Sequence, residues 1–278
     1  MTQRNAVFQT AQSSKVSTQV VGKGLKSLGD KMSLPDAEGT AHPKRDDTSW
    51  SCRDCPLRKL NVCSSIVDAP ARKPHVGISR NQIKPRQTIC RKDQTADQIY
   101  VIKEGWAFRY AITASGRRQI LSFLMPGDLM ISRSLYDDRV TFPVQSVTDV
   151  SYCGFNRDEL IELIGDSQTA ARALTEACAD ERMLYEERLI DLGTRSAEER
   201  VVRFLLEIMG RQDKRGYVHN QMLKFPLKQI HLADALGLTQ VHVNRVLKRL
   251  REGGLIEWSR GVLKIEDLPA MKQIADIR

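Results

Sequence analysis

The sequence predicts an α+β chain: an N-terminal β-roll of the jelly-roll (double-stranded β-helix) kind, a long helix, and a C-terminal winged helix-turn-helix. Three observations carry this. Between about His75 and Asp158 short apolar runs are cut by turn residues at near-regular intervals, the pattern of an antiparallel sandwich or roll. From about Asp166 to Leu192 the strong helix formers Ala, Leu, Glu and Arg dominate. Beyond Leu227 two amphipathic stretches flank Gly237 and run into two short β-like segments.

Composition sets the frame. The 278 residues carry a formal net charge of +9, with 41% hydrophobic and 28% charged residues. That is the balance of a water-soluble globular chain able to bury a real core. No apolar run approaches the roughly 20 residues of a membrane helix, and Met1 to Gln12 holds no apolar signal core. A membrane span, a collagen-like fibre and a small disulfide-stapled toxin are excluded, and a cytoplasmic location is expected. The positive balance points towards a polyanionic partner.

Residues 1–48 are rich in Gln, Ser, Thr, Lys, Asp and Gly and are read as a disordered extension. Val21, Leu25 and Leu28 have helical spacing and allow a short helix there. Residues 49–165 form the next unit, a cysteine loop followed by the roll. Tyr100-Val-Ile-Lys-Glu-Gly105 reads as a strand ending in a turn, and Trp106 to Thr113 alternates before Ser115-Gly116. Gln119 to Leu124 then runs into Met125-Pro-Gly-Asp, where Gly and Pro supply turn backbone.

Residues 166–195 are the long helix, with Asp166 or Ser167 as N-cap. Leu174, Cys178, Tyr185, Leu189 and Leu192 fall near one stripe. Two readings stand open: a helix packed on its own β-domain, or a dimer seam with coiled-coil spacing. Glu181 and Arg182 interrupt the stripe. Gly193-Thr-Arg-Ser196 breaks the helix. Ser196 with Glu199 three residues on then makes a capping box that opens the last unit, 196–278.

In that unit Lys228 to Leu236 reads as a helix with Ile230, Leu232, Ala233 and Leu236 inward. Gly237 makes the turn, and Thr239 caps a second helix, Gln240 to Arg251. Val243, Val246, Leu247 and Leu250 form its buried face. Val241, Asn244, Arg245 and Lys248 look the other way, flanked by His242 and Arg249, with Thr239 and Gln240 at its start. Arg suits a guanine edge, Asn an adenine edge and an exposed Val a thymine methyl, while Lys and Arg further along suit phosphates. Leu255 to Trp258 and Val262 to Ile265, joined through Ser259-Arg-Gly261, make a hairpin wing. A generic helical pair with a solvated basic face would not require this helix-Gly-helix-wing order, so these eight residues are the expected DNA contacts.

Six cysteines are present, and three crowd together as Cys52-x2-Cys55-x7-Cys63. Three thiolates on one short loop can face a common centre, as zinc or an iron–sulfur cluster requires. Cys153, Cys90, Cys178, His75 and His42 are candidates for a fourth ligand. Spacing does not choose between cluster and zinc. Cys90, inside the β-pattern, and Cys178, on the long helix, read as small buried hydrophobes, whereas Cys153 lies where a loop-borne site could dock. No nucleophile–base pair, H-E-x-x-H or Walker loop is present, and the histidines are scattered (His219, His231 and His242 with the two named above). The chain is therefore expected not to be an enzyme.

With these parts in view, residues 50 to 275 resemble the Crp–Fnr family of bacterial transcription regulators. The resemblance rests on the order of parts and on four signatures. These are Tyr100 to Gly105, Gly116-Arg-Arg-Gln-Ile-Leu-Ser-Phe-Leu-Met-Pro-Gly-Asp-Leu129, Ala197-Glu-Glu-Arg200, and Leu236-Gly-Leu-Thr239. Cys52, Cys55 and Cys63 resemble the N-terminal triad of the Fnr-type oxygen sensors, and Cys153 matches their fourth cysteine. The resemblance implies a cyclic-nucleotide-binding-like roll. It also implies a [4Fe–4S] cluster on these four residues, with Arg53, Arg58 and Lys59 offsetting its charge. It further implies a homodimer through the 166–192 helix, a palindromic double-stranded DNA operator and RNA polymerase as partner. A family member answering to another signal, such as a small molecule, zinc or thiol oxidation, is the alternative. Two departures stand out. The recognition helix has Val241 and Asn244 where Fnr-type proteins carry Glu and Ser, so a different operator is expected. Residues 131–144, Ser132-Arg-Ser134 included, lack the Gly-Glu and Arg-Ser/Thr phosphate cassette, so no cyclic nucleotide is expected.

Overall fold

The computed structural model describes residues 52–67, 77–130 and 135–277. The 1–48 extension, His42, His75 and Ser132 to Ser134 lie outside these. The described chain opens with two 3-10 turns, Cys52–Asp54 and Pro56–Lys59, and helix α1 (Asn61–Val67). Pro56 stands in a first turn, where a missing N–H costs nothing, and buried Leu57 anchors the loop.

Seven strands follow: β1 (Ile78–Ile83), β2 (Thr88–Cys90), β3 (Gln98–Glu104), β4 (Ala107–Ile112), β5 (Arg118–Leu124), β6 (Val144–Ser146) and β7 (Val150–Asn156). They form two antiparallel sheets, ordered β1-β7-β3 and β2-β6-β4-β5. Ile99, Val101, Val150 and Tyr152 of one sheet and Cys90, Ala107, Leu124 and Val144 of the other meet in one core. The β3–β4 turn depends on Gly105, at φ +86°, because a Cβ there would sit 2.0 Å from the Asp149 carbonyl oxygen.

The helical half has one element the pattern did not announce. Helix α2 (Arg157–Asp166) precedes α3 (Gln168–Thr194). Asn156 caps α2 by accepting from the amides of Asp158 and Glu159, an N-cap signature present in the sequence. Ser167 rather than Asp166 caps α3, accepting the Ala170 amide at 3.2 Å. Gly193 stays inside α3, and Arg195 is its C-cap. Helix α4 (Ala197–Asp213) starts with the anticipated capping box: the Glu199 amide donates to Ser196 Oγ at 3.3 Å, and the Ser196 amide donates to Glu199 Oε2 at 2.8 Å.

The C-terminal part comprises β8 (Met222–Lys224), α5 (Gln229–Leu236), α6 (Gln240–Glu252), β9 (Ile256–Ser259), β10 (Val262–Ile265) and α7 (Leu268–Ile274). Strand β10 pairs antiparallel with both β8 and β9. The wing turn has positive φ at both Arg260 and Gly261, the backbone of a two-residue hairpin loop. A second core joins this part to the roll. Trp106, Phe108, Ile120 and Phe123 of the β4–β5 side pack with Phe204, Phe225, Leu232 and Leu236. Strands β4 and β5 thus contribute side chains to both cores.

Candidate nucleic-acid interface and cysteine site

The helix-turn-helix follows from local chemistry. Gly237 adopts φ +63°, and its amide closes α5 by donating to the Ala233 carbonyl. Thr239 Oγ1 accepts the His242 amide at 3.2 Å and so starts α6. Val243, Val246, Leu247 and Leu250 are buried, as periodicity required. Thr239, Gln240, Val241, His242, Asn244, Arg245, Lys248 and Arg249 are all exposed, Val241 to 66%. Lys248 pairs with Glu252 at 3.5 Å and Arg249 with Glu198 at 3.4 Å. Gln229 Nε2 donates to Asn244 Oδ1 at 3.4 Å, a link across the two helices. The surface therefore offers amide, guanidinium, ammonium and methyl groups on one side of a 13-residue helix, a set suited to base edges and phosphates.

The stripe along α3 is divided by the fold. Leu174 is buried in the roll's own core, and Cys178 packs against it. Tyr185 turns inward to Arg109, whose Nη2 donates to Tyr185 Oη at 2.6 Å and to Glu181. Arg109 is buried with an 8% exposed side chain, so Glu181 interrupts the apolar stripe in order to neutralise it. Leu192 lies 3.2 Å from where a Gly237 Cβ would sit. Only Leu189 of the five is exposed, at 69%, alongside Met183 at 60% and Ile190 at 52%. Met183 and Ile190 are one heptad apart and lie outside the stripe of five, which joins positions facing the roll, Gly237 and solvent.

The cysteine loop seats α1 against α3, with Ile66 buried in the roll core and Val62 and Cys63 packed against it. None of the six cysteines is disulfide-bonded. The Cys63 thiol is pushed up to about 12, by burial first and then by the neighbouring Cys153, Cys55 and Cys52. Burial and Cys55 also raise Cys52, while Arg80 and Arg58 act in the opposite direction. Cys90 is likewise pushed up to about 12, but by burial alone, and burial alone raises Cys178. Cys153, Cys55 and Cys52 thus lie close enough to Cys63 to act on it, while Cys178 packs against the same roll core and Cys90 is buried within it. Among the described residues no three Cys, His, Asp or Glu side chains are grouped tightly enough to hold a metal ion as they stand. The donor set itself fits a thiolate-ligated centre. Thiols near enough to act on one another, as Cys153, Cys55 and Cys52 act on Cys63, repel once ionised, and a cation among them removes that repulsion.

Comparison with known proteins places these parts. Residues 80–167 match the cyclic nucleotide-binding domain model, and residues 199–274 match the Crp-like helix-turn-helix domain model. The chain is 31% identical over 184 residues to the nitrogen fixation regulation protein FixK of Azorhizobium caulinodans, covering 66% of this chain and 73% of the relative. It is 27% identical over 219 residues to the transcriptional activatory protein AadR of Rhodopseudomonas palustris, covering 78% and 90%. The solved structure of FixK2 from Bradyrhizobium japonicum superposes with a TM-score of 0.65 at 25% identity, over 72% of this chain and 98% of that one.

Proposed function

The chain belongs to the Crp–Fnr family of DNA-binding transcription regulators, and from that premise we propose that it is a redox- or oxygen-responsive member whose cysteine loop controls a DNA-binding dimer. The relatives it matches are regulators, not enzymes. The observation that carries the sensing half is where the loop sits. Cys63 and Cys153 pack against the same roll core, and helix α1, which bears Cys63, rests on α3.

Cys52, Cys55, Cys63 and Cys153 would hold a [4Fe–4S] cluster, which supplies an oxygen-labile, thiolate-ligated centre when bound. Arg58 and Arg80, which act on Cys52, offset negative charge there. Helix α1 rests on α3, so the loop braces the helix that exposes Met183, Leu189 and Ile190. A second copy covering those side chains would hold two α6 helices about one turn of DNA apart, as a palindromic operator requires. Any loop state that favours the dimer then raises DNA affinity by linkage. Thr239 to His242, Asn244, Arg245, Lys248 and Arg249 would contact the duplex, with RNA polymerase as the next partner, in the cytoplasm. Among the described residues no helix is long and apolar enough to cross a membrane. The roll takes no cyclic nucleotide on this reading: the phosphate cassette is missing, and Ile99, Val101, Met130, Val144 and Tyr152 fill its interior.

The test is iron, acid-labile sulfide and zinc per monomer on protein purified without oxygen, with visible spectra before and after air. About four irons and four sulfides, lost in Cys153→Ser and kept in Cys90→Ser, are expected for a cluster on these ligands. Stoichiometric zinc without sulfide would make the loop a structural clip, and cluster loss in Cys90→Ser would overturn the ligand set.

A further inference from the structure

We infer that the cysteine loop bears directly on the DNA-binding domain through the Met125–Asp128 turn, a contact additional to its seat on the long helix. The regulatory meaning of this contact rests on the reading just given, but the contact itself does not. Leu60 stands between Cys55 and Cys63. Its amide donates to the Leu57 carbonyl at 2.9 Å, and its own carbonyl accepts from Ser64 at 3.0 Å, so it joins the second 3-10 turn to α1. Its Cδ1 comes within 2.4 Å of where a Gly127 Cβ would sit, and the Arg215 guanidinium carbon lies 3.7 Å from the same point. Gly127 has φ +94°, so the backbone shape calls for glycine, and the Leu60 methyl occupies the space a Cβ would take.

The adjoining residue makes the turn a hub. Asp128 Oδ2 accepts from the Met125 amide at 2.8 Å and from Arg211 Nη2 at 2.6 Å, and Oδ1 pairs with Arg215. Arg215 Nη1 donates to the Pro126 carbonyl at 2.7 Å, and Arg211 Nη2 to the Phe123 carbonyl at 3.2 Å. Both arginines belong to the end of α4 and the turn after it. Arg211 also meets Glu207, which pairs with Arg188 of α3 at 2.6 Å. The three charged side chains of the hub are only 13–17% exposed.

Such a group has few intermediate arrangements. Displacing the carboxylate takes their shared charge partner from two mostly buried guanidiniums, leaving Arg211 with Glu207 and the Phe123 carbonyl and Arg215 with the Pro126 carbonyl, which costs more than loosening a surface pair. A shift of Leu60 is therefore met by moving the turn and α4 together, not by stretching the ion pairs. Helix α4 packs on α6, so the movement reaches the exposed recognition residues. The loop thus acts as a wedge whose seating sets how firmly the DNA-binding domain is held on the roll.

A double-mutant cycle on the full chain tests this, because coupling energy separates a connected pair from two independent ones. Amide hydrogen exchange, read by mass spectrometry, would be compared in Leu60→Ala, Asp128→Asn and the double variant. Leu60→Ala should raise exchange at least five-fold over residues 207–217, leave β1 unchanged, and add less than two-fold in the Asp128→Asn background. Additive effects, or exchange raised evenly along the chain, would overturn the proposal. Arg215→Gln keeps the Arg211–Asp128 pair and replaces Asp128→Asn if the latter does not fold. Metal content of the unmutated chain reports separately on the cluster: its absence would sink that reading while the exchange cycle still decides this one.

Discussion

His231 shows how one side chain is set by both halves of the chain. Its ring lies 5.7 Å from Phe108 of the roll, and its Nδ1 accepts the Lys228 amide at 3.1 Å. Accepting requires the neutral ring. Burial, then Arg118 and Lys228, hold its pKa down at about 4 against the pull of Asp234. Between pH 6.5 and 4 the unfolded chain therefore binds more protons, so this contribution is complete above 6.5 and is lost as pH falls towards 4. Denaturant titrations at pH 7 and pH 5 should differ by about 1–2 kcal/mol on this account. His231→Gln, which keeps an acceptor but does not titrate, should remove that difference. Arg245 makes a second case: it has no ion pair among the described residues and stands exposed on α6. If it reads a base edge, Arg245→Ala should weaken operator binding by about 1–3 kcal/mol and random-duplex binding much less. Equal losses on both duplexes would make it a phosphate contact.

At the scale of elements, legibility tracked how local the physics is. The α4 capping box, the Gly237 turn, the Thr239 cap and the buried face of α6 were readable because neighbours in sequence decide them. The same rules would have found α2 from Asn156 and the acids that follow it. Stripe counting on α3 was less informative, since an apolar stripe says that a face is covered and not by what. Leu174 and Cys178 are covered by the chain's own roll, whereas Met183, Leu189 and Ile190 are left open. This separates two substitutions. Ile190→Glu should preserve the circular dichroism spectrum and shift sedimentation from dimer to monomer. Leu174→Glu should unfold the roll, because a carboxylate would replace a side chain only 6% exposed.

Across the whole molecule the unit boundaries drawn at 165 and 195 do not divide the core. Trp106 and Phe225 meet edge to face at 6.1 Å, and Phe123 and Phe204 meet at 5.4 Å. Ion pairs join the same surfaces, with Arg118 on Asp234 at 2.7 Å and Arg211 on Asp128 at 2.6 Å. Phe225→Ala should therefore cost about 3–5 kcal/mol and lower the melting temperature of roll and helix-turn-helix together. Two separate transitions, with the roll unchanged, would show that the halves are independent. The sequence by itself determined the order of parts, the antiparallel roll, the winged helix-turn-helix with its exposed face, and the cysteine triad. Each of these is written in turn residues, caps and periodicity within a few tens of residues. Only the tertiary structure decided which apolar side chains of α3 are left exposed, and that β4 and β5 contribute to two cores at once. Those outcomes depend on contacts between residues far apart in the chain, whose pairing no local pattern encodes.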